Sequence, residues 1–246
     1  MPDMTSLLFQ TDAYARSCEA TVVEHDESVH AIILDRTVFY PAGGGQPADR
    51  GQLRAGGRKD TLPVIDATKH PAGVAHVIDP SFSLPPVGAQ LVAEIDWDRR
   101  YRLMRTHTAL HVLCGVVFRD FTALVTGGNM DIDKARMDFE LEDLSPEKVE
   151  AIEQAANQEI AAGREIRIAF LPREQAFLIP DLIRTKINLL PEGISTIRTV
   201  EIVGLDLQAD GGTHVANTHE VIGLKVMGTR SKGRINKRLE IALVDK

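Results

Sequence analysis

"DWDRRYRLMRTHTALHVLCGVVFRDF", residues 96–121, decides the fold. It contains no proline, and positions 103, 107, 110, 114 and 117 recur at the spacing of one helix face. The segment therefore reads as a long helix, with Asp96 or Asp98 to cap its start. His107 and His111 lie four apart within it, so both imidazoles leave the same face, one turn above the other. Such a pair can hold one metal ion, or it can be a core histidine beside one at the core's edge; the spacing leaves both readings open. Thr108, Ala109 and Leu110 between them supply no glutamate, which argues against an H-E-x-x-H metalloprotease.

Upstream, from Ala20 to about Ile95, short apolar runs such as "VHAIILD", "GVAHVID" and "QLVAEID" are broken by Gly, Pro and Asp. They read as strands of a small β-barrel-like domain spanning 1–95. Within it, "TVFYPAGGGQPADRG" (37–51) carries Gly43, Gly44 and Gly45, followed by Gln46. Three glycines either form a flexible loop or bare their N–H groups toward an anion or carbonyl. The P-loop lysine is missing, so nucleoside triphosphate binding is not expected. Downstream, Ser145, Pro146 and Gly163 bound a second helix, "SPEKVEAIEQAANQEIAAG", among strand-like runs including "ARMDFEL", "ISTIRTVEIVGLDLQ" and "RLEIALV". Residues 96–246 thus read as an α+β domain, its histidine-bearing helix packed on an antiparallel sheet. In "DLQADGGTHVANTHEVIG" (206–223), Asp210 and His214 flank Gly211 and Gly212. This segment is either a solvent-facing turn or a second pair of ligands.

The chain has 246 residues, 43% of them hydrophobic, no apolar run long enough to cross a bilayer and no signal-like start; a cytoplasmic location with no membrane association is expected. Cys18 and Cys114 are its only cysteines, so a metal site must draw on histidine and carboxylate. A net charge of -7 argues against indiscriminate nucleic-acid binding and leaves two basic patches, "DRRYRLMR" (98–105) and "TRSKGRINKR" (229–238), each a solvated face or a partner surface.

Taken together and in order, "FYPAGGGQ", "HTALH", "GGTHVANTHEVIG" and the closing "KGRINKRLEIAL" resemble the editing domain of alanyl-tRNA synthetase and its free-standing relatives, the medium-class AlaX proteins, from about residue 20 to the C-terminus. The resemblance implies a metal-dependent aminoacyl-tRNA deacylase. Its one zinc ion would be held by His107, His111, Asp210 and His214, which would form the catalytic set. Asp210 stands where the family pattern has cysteine, a change that makes the site harder and admits other divalent metals. Cys114, on the same helical face as the histidines, is the rival ligand, weighed against a role as a small buried hydrophobe. Gly43, Gly44, Gly45, Gln46, Gly211, Gly212 and Thr213 would line the substrate site, and Thr213, Gln46 or Thr37 would bind a serine hydroxyl. Arg99, Arg100, Arg102, Lys232, Arg234, Lys237 and Arg238 would guide the acceptor end of a mischarged tRNA(Ala); no obligate protein partner is evident. The implied substrate is Ser-tRNA(Ala), with Gly-tRNA(Ala) open. The alternatives are an editing hydrolase for another aminoacyl-tRNA such as Ser-tRNA(Thr), and a non-catalytic tRNA-binding homologue with a degraded metal site.

Overall fold

A computed structural model describes residues 5–55, 61–187, 190 and 193–245. The chain divides into two compact units, residues 1–101 and 102–246. The first contains β1 (Ser6–Leu7), β2 (Ser17–Asp26), β3 (Ala31–Leu34), β4 (Arg36–Thr37), β5 (Gly51–Ala55), β6 (Thr61–His70), β7 (Gly73–Ile78) and β8 (Gln90–Ile95). Antiparallel pairing in the order β2-β3-β7-β6-β5-β8 closes a barrel. Alternate residues turn inward, among them Val22, Ile32, Leu34, Leu53, Val74, Leu91 and Ala93, and form one core. Gly51 permits the β5–β8 contact, because a Cβ there would lie 2.2 Å from the Glu94 carbonyl oxygen.

The glycine segment is a tight turn. Gly43 and Gln46 exchange backbone hydrogen bonds of 3.1 and 2.9 Å. Gly44 and Gly45 between them have φ of +59° and +88°, the signature of a type I′ turn that only residues free of Cβ strain adopt readily. The Gly43 N–H is thus committed to closing the turn rather than bared toward a ligand. Asp49 fixes the base of this loop: its carboxylate accepts from the Tyr40 N–H at 2.7 Å and its N–H donates to the Tyr40 carbonyl at 3.0 Å.

Beneath the loop lies a buried ion pair. Asp49 and Arg100 are both fully buried. The guanidinium bonds the Asp49 carboxylate through Nε and Nη2, and donates to the carbonyls of Ala13 (2.9 Å) and Val38 (2.6 Å). Arg100 is therefore unable to touch phosphate, contrary to the role expected for it, because its charge is neutralised inside the barrel unit.

α1 (Trp97–Phe121) runs from the end of the first unit into the second. Asp96 caps it, accepting from the Arg99 N–H at 3.1 Å. The second unit continues with β9 (Val125–Asp131), β10 (Lys134–Phe139), α2 (Pro146–Ala161), β11 (Ile166–Pro172), α3 (Arg173–Ala176), β12 (Thr196–Ile202), β13 (Asp206–Ala209), β14 (Leu224–Ser231) and β15 (Lys237–Leu243). Two antiparallel sheets result, β14-β15-β10-β9 and β11-β12-β13, so the mixed α+β class is as expected. Ser145 caps α2, its hydroxyl accepting from Lys148 N–H at 3.3 Å, and Gly163 at φ +66° ends it. The run "ISTIRTVEIVGLDLQ" is not one strand but the hairpin β12–β13, because Gly204 takes φ +75° and turns the chain. Gly115 of α1 meets this hairpin closely, since a Cβ on it would lie 2.9 Å from Leu205 Cγ and 3.0 Å from Asp206 Cβ.

Removing one partner of a buried pair strands the other charge, so Asp49→Ala is expected to cost about 3–5 kcal/mol. Urea unfolding followed by fluorescence of Trp97, the only tryptophan, checks this; a loss below about 1 kcal/mol contradicts the assignment.

Candidate metal and catalytic centre

The helical spacing of His107 and His111 sets their rings side by side, centroids 5.0 Å apart and nearly perpendicular. The partners arrive from the end of the β12–β13 hairpin. Beyond β13 the ladder continues for one residue, with Asp210 N–H donating to the Arg198 carbonyl at 3.1 Å. The chain then turns sharply, as the Gly212 N–H bonds Asp210 Oδ2 at 2.7 Å, and delivers His214 back beside its own aspartate. His214 Nε2 stands 3.0 Å from Asp210 Oδ2, and its ring stacks on that of His107 at 4.3 Å.

One ligand atom from each of His107, His111, Asp210 and His214 falls within 4.8 Å of all the others. Asp210 Oδ1 lies 3.7 Å from His107 Nε2 and 4.0 Å from His111 Nε2. A tetrahedral zinc ion with bonds near 2.1 Å needs ligand atoms about 3.4 Å apart. The Asp210 separations, 3.0 Å from Oδ2 to His214 and 3.7 and 4.0 Å from Oδ1 to the other two rings, lie on both sides of that value, so the donor set, all within 4.8 Å, can close on such an ion by contracting.

The electrostatics agree with a site built for a cation. Burial lowers the pKa of His107 to about 4 against the pull of Asp210, and burial together with the two neighbouring histidines holds His214 well below the usual range. Their lone pairs are therefore available. Burial works against ionising Asp210, but His107, His214 and His111 outweigh it and keep its pKa well below the ordinary carboxylate value. His111 moves the other way: burial would lower its pKa, and Asp206 with Asp210 raises it.

Two of the rings are hydrogen-bonded on the far side, and the third faces a carboxylate there. His107 bonds the backbone at Thr213. His214 Nδ1 pairs with the buried Thr108 hydroxyl at 3.2 Å, which also receives the Val215 N–H at 3.3 Å. His111 Nδ1 is buried with no hydrogen bond and faces Asp206 Oδ2 at 3.7 Å. Asp206 in turn is held by Arg184 Nε (3.2 Å) and Gln208 Nε2 (2.5 Å). Metal-binding histidines commonly present one nitrogen to the ion and the other to such a carboxylate or carbonyl, which fixes tautomer and orientation.

Thr108, Asp206 and Arg198 were not singled out from the sequence. Asp206 had a signal: in "DLQAD" strand alternation puts residues 206, 208 and 210 on one side. Arg198, which donates to the Asp210 carbonyl at 2.8 Å, emerges only from the strand register. Of the expected substrate residues, Gly212 has its N–H committed to Asp210, Thr213 is fully buried, and Gly211 is exposed. Gly43, Gly44, Gly45 and Gln46 belong to the first unit. Cys114, the rival ligand, is outside the cluster; burial pushes its thiol pKa up, and its Sγ accepts from Gln208 Nε2 at 3.3 Å.

The expected tRNA-contacting cations also separate. Lys237 is buried because it occupies the inward side of β15, and its amine turns back onto the carbonyls of Gly233 (2.7 Å) and Arg234 (2.9 Å), closing the hairpin; it is not a surface contact. Arg99 Nε donates to the Ala48 carbonyl at 3.0 Å, and Arg102 Nε to Asp133 at 2.7 Å. Lys232 and Arg238 share Asp138, while Arg234 is exposed.

Comparison with known proteins agrees with this geometry. The family "tRNA synthetases class II (A)" matches residues 10–99, and "Threonyl and Alanyl tRNA synthetase second additional domain" matches residues 197–240. The alanyl-tRNA editing protein AlaX-M of Methanosarcina mazei is 37% identical over 246 residues, covering 98% of both chains. That of Saccharolobus solfataricus is 38% identical over 237 residues, covering 96% of this chain and 98% of the other. The alanine–tRNA ligase of Ignicoccus hospitalis is 38% identical over 232 residues, which cover 92% of this chain and 24% of the ligase. With such identity along nearly its whole length, the chain belongs to the AlaX family of alanyl-tRNA editing proteins.

Proposed function

We propose that the protein is a trans-editing hydrolase that cleaves the ester of mischarged Ser-tRNA(Ala), using one divalent ion held by His107, His111, Asp210 and His214. The observation that carries this reading is the convergence of those four side chains within 4.8 Å in a chain of the AlaX family. When bound, the ion supplies Lewis acidity to an ester carbonyl or to water. Three imidazoles and one carboxylate favour zinc or another late first-row ion over magnesium or calcium, which prefer all-oxygen sites. The inward direction of the Asp210 carboxylate favours a working site over a relic, since a carboxylate that had lost its role gains nothing by burial among histidines.

The remaining work falls to the chain. Thr108, Asp206 and the Thr213 backbone keep the three rings aimed. Asp210 is the most exposed of the four, 19% for its side chain against 9% or less for the histidines, so substrate approaches from its side and past Gly211. The Gly211 N–H is the candidate group to receive charge developing on the ester carbonyl oxygen. Thr213 is the candidate in the second unit for the serine hydroxyl; the Thr37 hydroxyl is instead buried in the first unit, paired with His76 Nε2 at 2.7 Å and accepting from the Phe39 N–H at 3.0 Å. A buried group that requires that bond discriminates against alanine, which leaves it unpaired. Removal of glycine is tested alongside serine.

Wild type is expected to release serine from Ser-tRNA(Ala), to spare Ala-tRNA(Ala), and to lose activity in His107→Ala and Asp210→Ala. If wild type leaves serine attached while releasing it from Ser-tRNA(Thr), the substrate is wrong; if it deacylates neither, the hydrolase reading fails. In a separate measurement, competition with a chelator should show that Asp206→Ala binds zinc about 10- to 100-fold more weakly than wild type. Cys114→Ala should match wild type in affinity and in one ion per chain; a loss of stoichiometry in that variant would return the thiol to the ligand set.

A further inference from the structure

The exterior of the β14-β15-β10-β9 sheet carries a concentration of positive charge. Register places Asp138 opposite Arg238, and Arg238 opposite Arg230; the next row holds Arg136 opposite Glu240, and the one after holds Lys134 and Lys225 on either side of Ala242. β9 adds Gly127, Asn129 and Asp131 to the same rows. The intervening residues Ala135, Met137, Leu239 and Ile241 are buried, so these rows form the outward face. Lys232, in the β14–β15 turn, joins this face by reaching Asp138 Oδ2 at 3.0 Å.

Two features set the face apart in a chain of net charge -7. Asp138, itself nearly buried, gathers three cations: Lys232, Arg238 (Nε 2.7 Å, Nη2 2.9 Å) and Arg136 (Nη1 3.8 Å). One carboxylate thus aligns three positive groups, and even with Glu240 opposite Arg136 the positive charge is in excess. Arg230 stands directly opposite Arg238, an unfavourable cross-strand pair, and is exposed with no ion pair among the described residues.

We propose that this face is the docking surface for base-paired RNA, the acceptor stem of the tRNA, with Arg136, Arg230, Lys232 and Arg238 contacting its phosphates and Asp138 holding three of them in place. The proposal rests on the deacylase reading for the choice of partner. A cationic sheet face suits an A-form helix, which proteins read through backbone and shape rather than through base edges in its narrow major groove. It also reassigns the basic C-terminal segment: Lys232 and Arg238 act from the sheet with Arg136 and Arg230, and Lys237 does not.

The test is fluorescence anisotropy with an uncharged acceptor-stem minihelix at several salt concentrations. Arg230→Glu/Lys232→Glu should bind about tenfold or more weakly, and its log K against log salt slope should fall by about one for each contact removed. In deacylation the same variant should raise KM and leave kcat unchanged. Lys148→Glu/Arg167→Glu, an equal change in net charge elsewhere on the second unit, should bind as wild type does. Wild-type affinity and slope in the first variant overturn the proposal, as does equal weakening in the second, or equal affinity for a single strand of the same length. Because binding is read with uncharged RNA, failure of the surface and failure of the hydrolase reading appear separately.

Discussion

The contact between Thr108 Oγ1 and His214 Nδ1 joins residues 106 apart in the chain, and the site depends on it. α1 fixes His107 and His111 by helical periodicity alone. The segment from Asp210 to His214 lies beyond β13, held at its start by the Asp210–Arg198 backbone bond, and it needs a further anchor at its end to keep His214 against the helix. Thr108 supplies that anchor from between the two histidines, binding the His214 ring and the Val215 N–H with a single buried hydroxyl. The same bond turns the free nitrogen of His214 toward Asp210. A tight approach at Gly115 brings Asp206 to the same helix, so the hairpin β12–β13 is held against α1 on both sides of the ligand loop.

Charge at this centre is nearly balanced before any ion enters. Asp210 and Asp206 are matched by Arg198 and Arg184, and burial keeps His107 and His214 neutral. A divalent ion therefore gains less from net negative charge than from three imidazole lone pairs, which favours ions that form strong bonds to nitrogen. Asp210, in the position where the family pattern carries cysteine, offers carboxylate oxygen in place of sulfur and remains anionic.

The parts of this arrangement legible in the sequence are those governed by local periodicity. The histidine helix, its Asp96 cap, the Ser145–Gly163 helix and the short barrel strands follow from spacing, caps and breakers. The pairing of His107 and His111 follows too, but their meeting with Asp210 and His214 does not follow from spacing and was expected only through resemblance to a known family. Burial of individual charges was illegible for the same reason. Arg100 looks like a surface cation at a helix start until Asp49, 51 residues earlier, is brought beneath it, and Lys237 looks like part of a basic run until strand register turns it inward. Asp206 was readable in principle, because alternation along "DLQAD" aligns it with Asp210, yet only tertiary packing reveals which ring it serves.

We infer that His107, His111, Asp210 and His214 hold one ion together. X-ray absorption at the edge of the bound metal tests it most directly. A first shell of nitrogen and oxygen alone is expected, with the outer-shell scattering of three imidazoles. A sulfur scatterer would mean that Cys114 replaces Asp210, and a shell with fewer than three imidazoles would contradict the four-residue site.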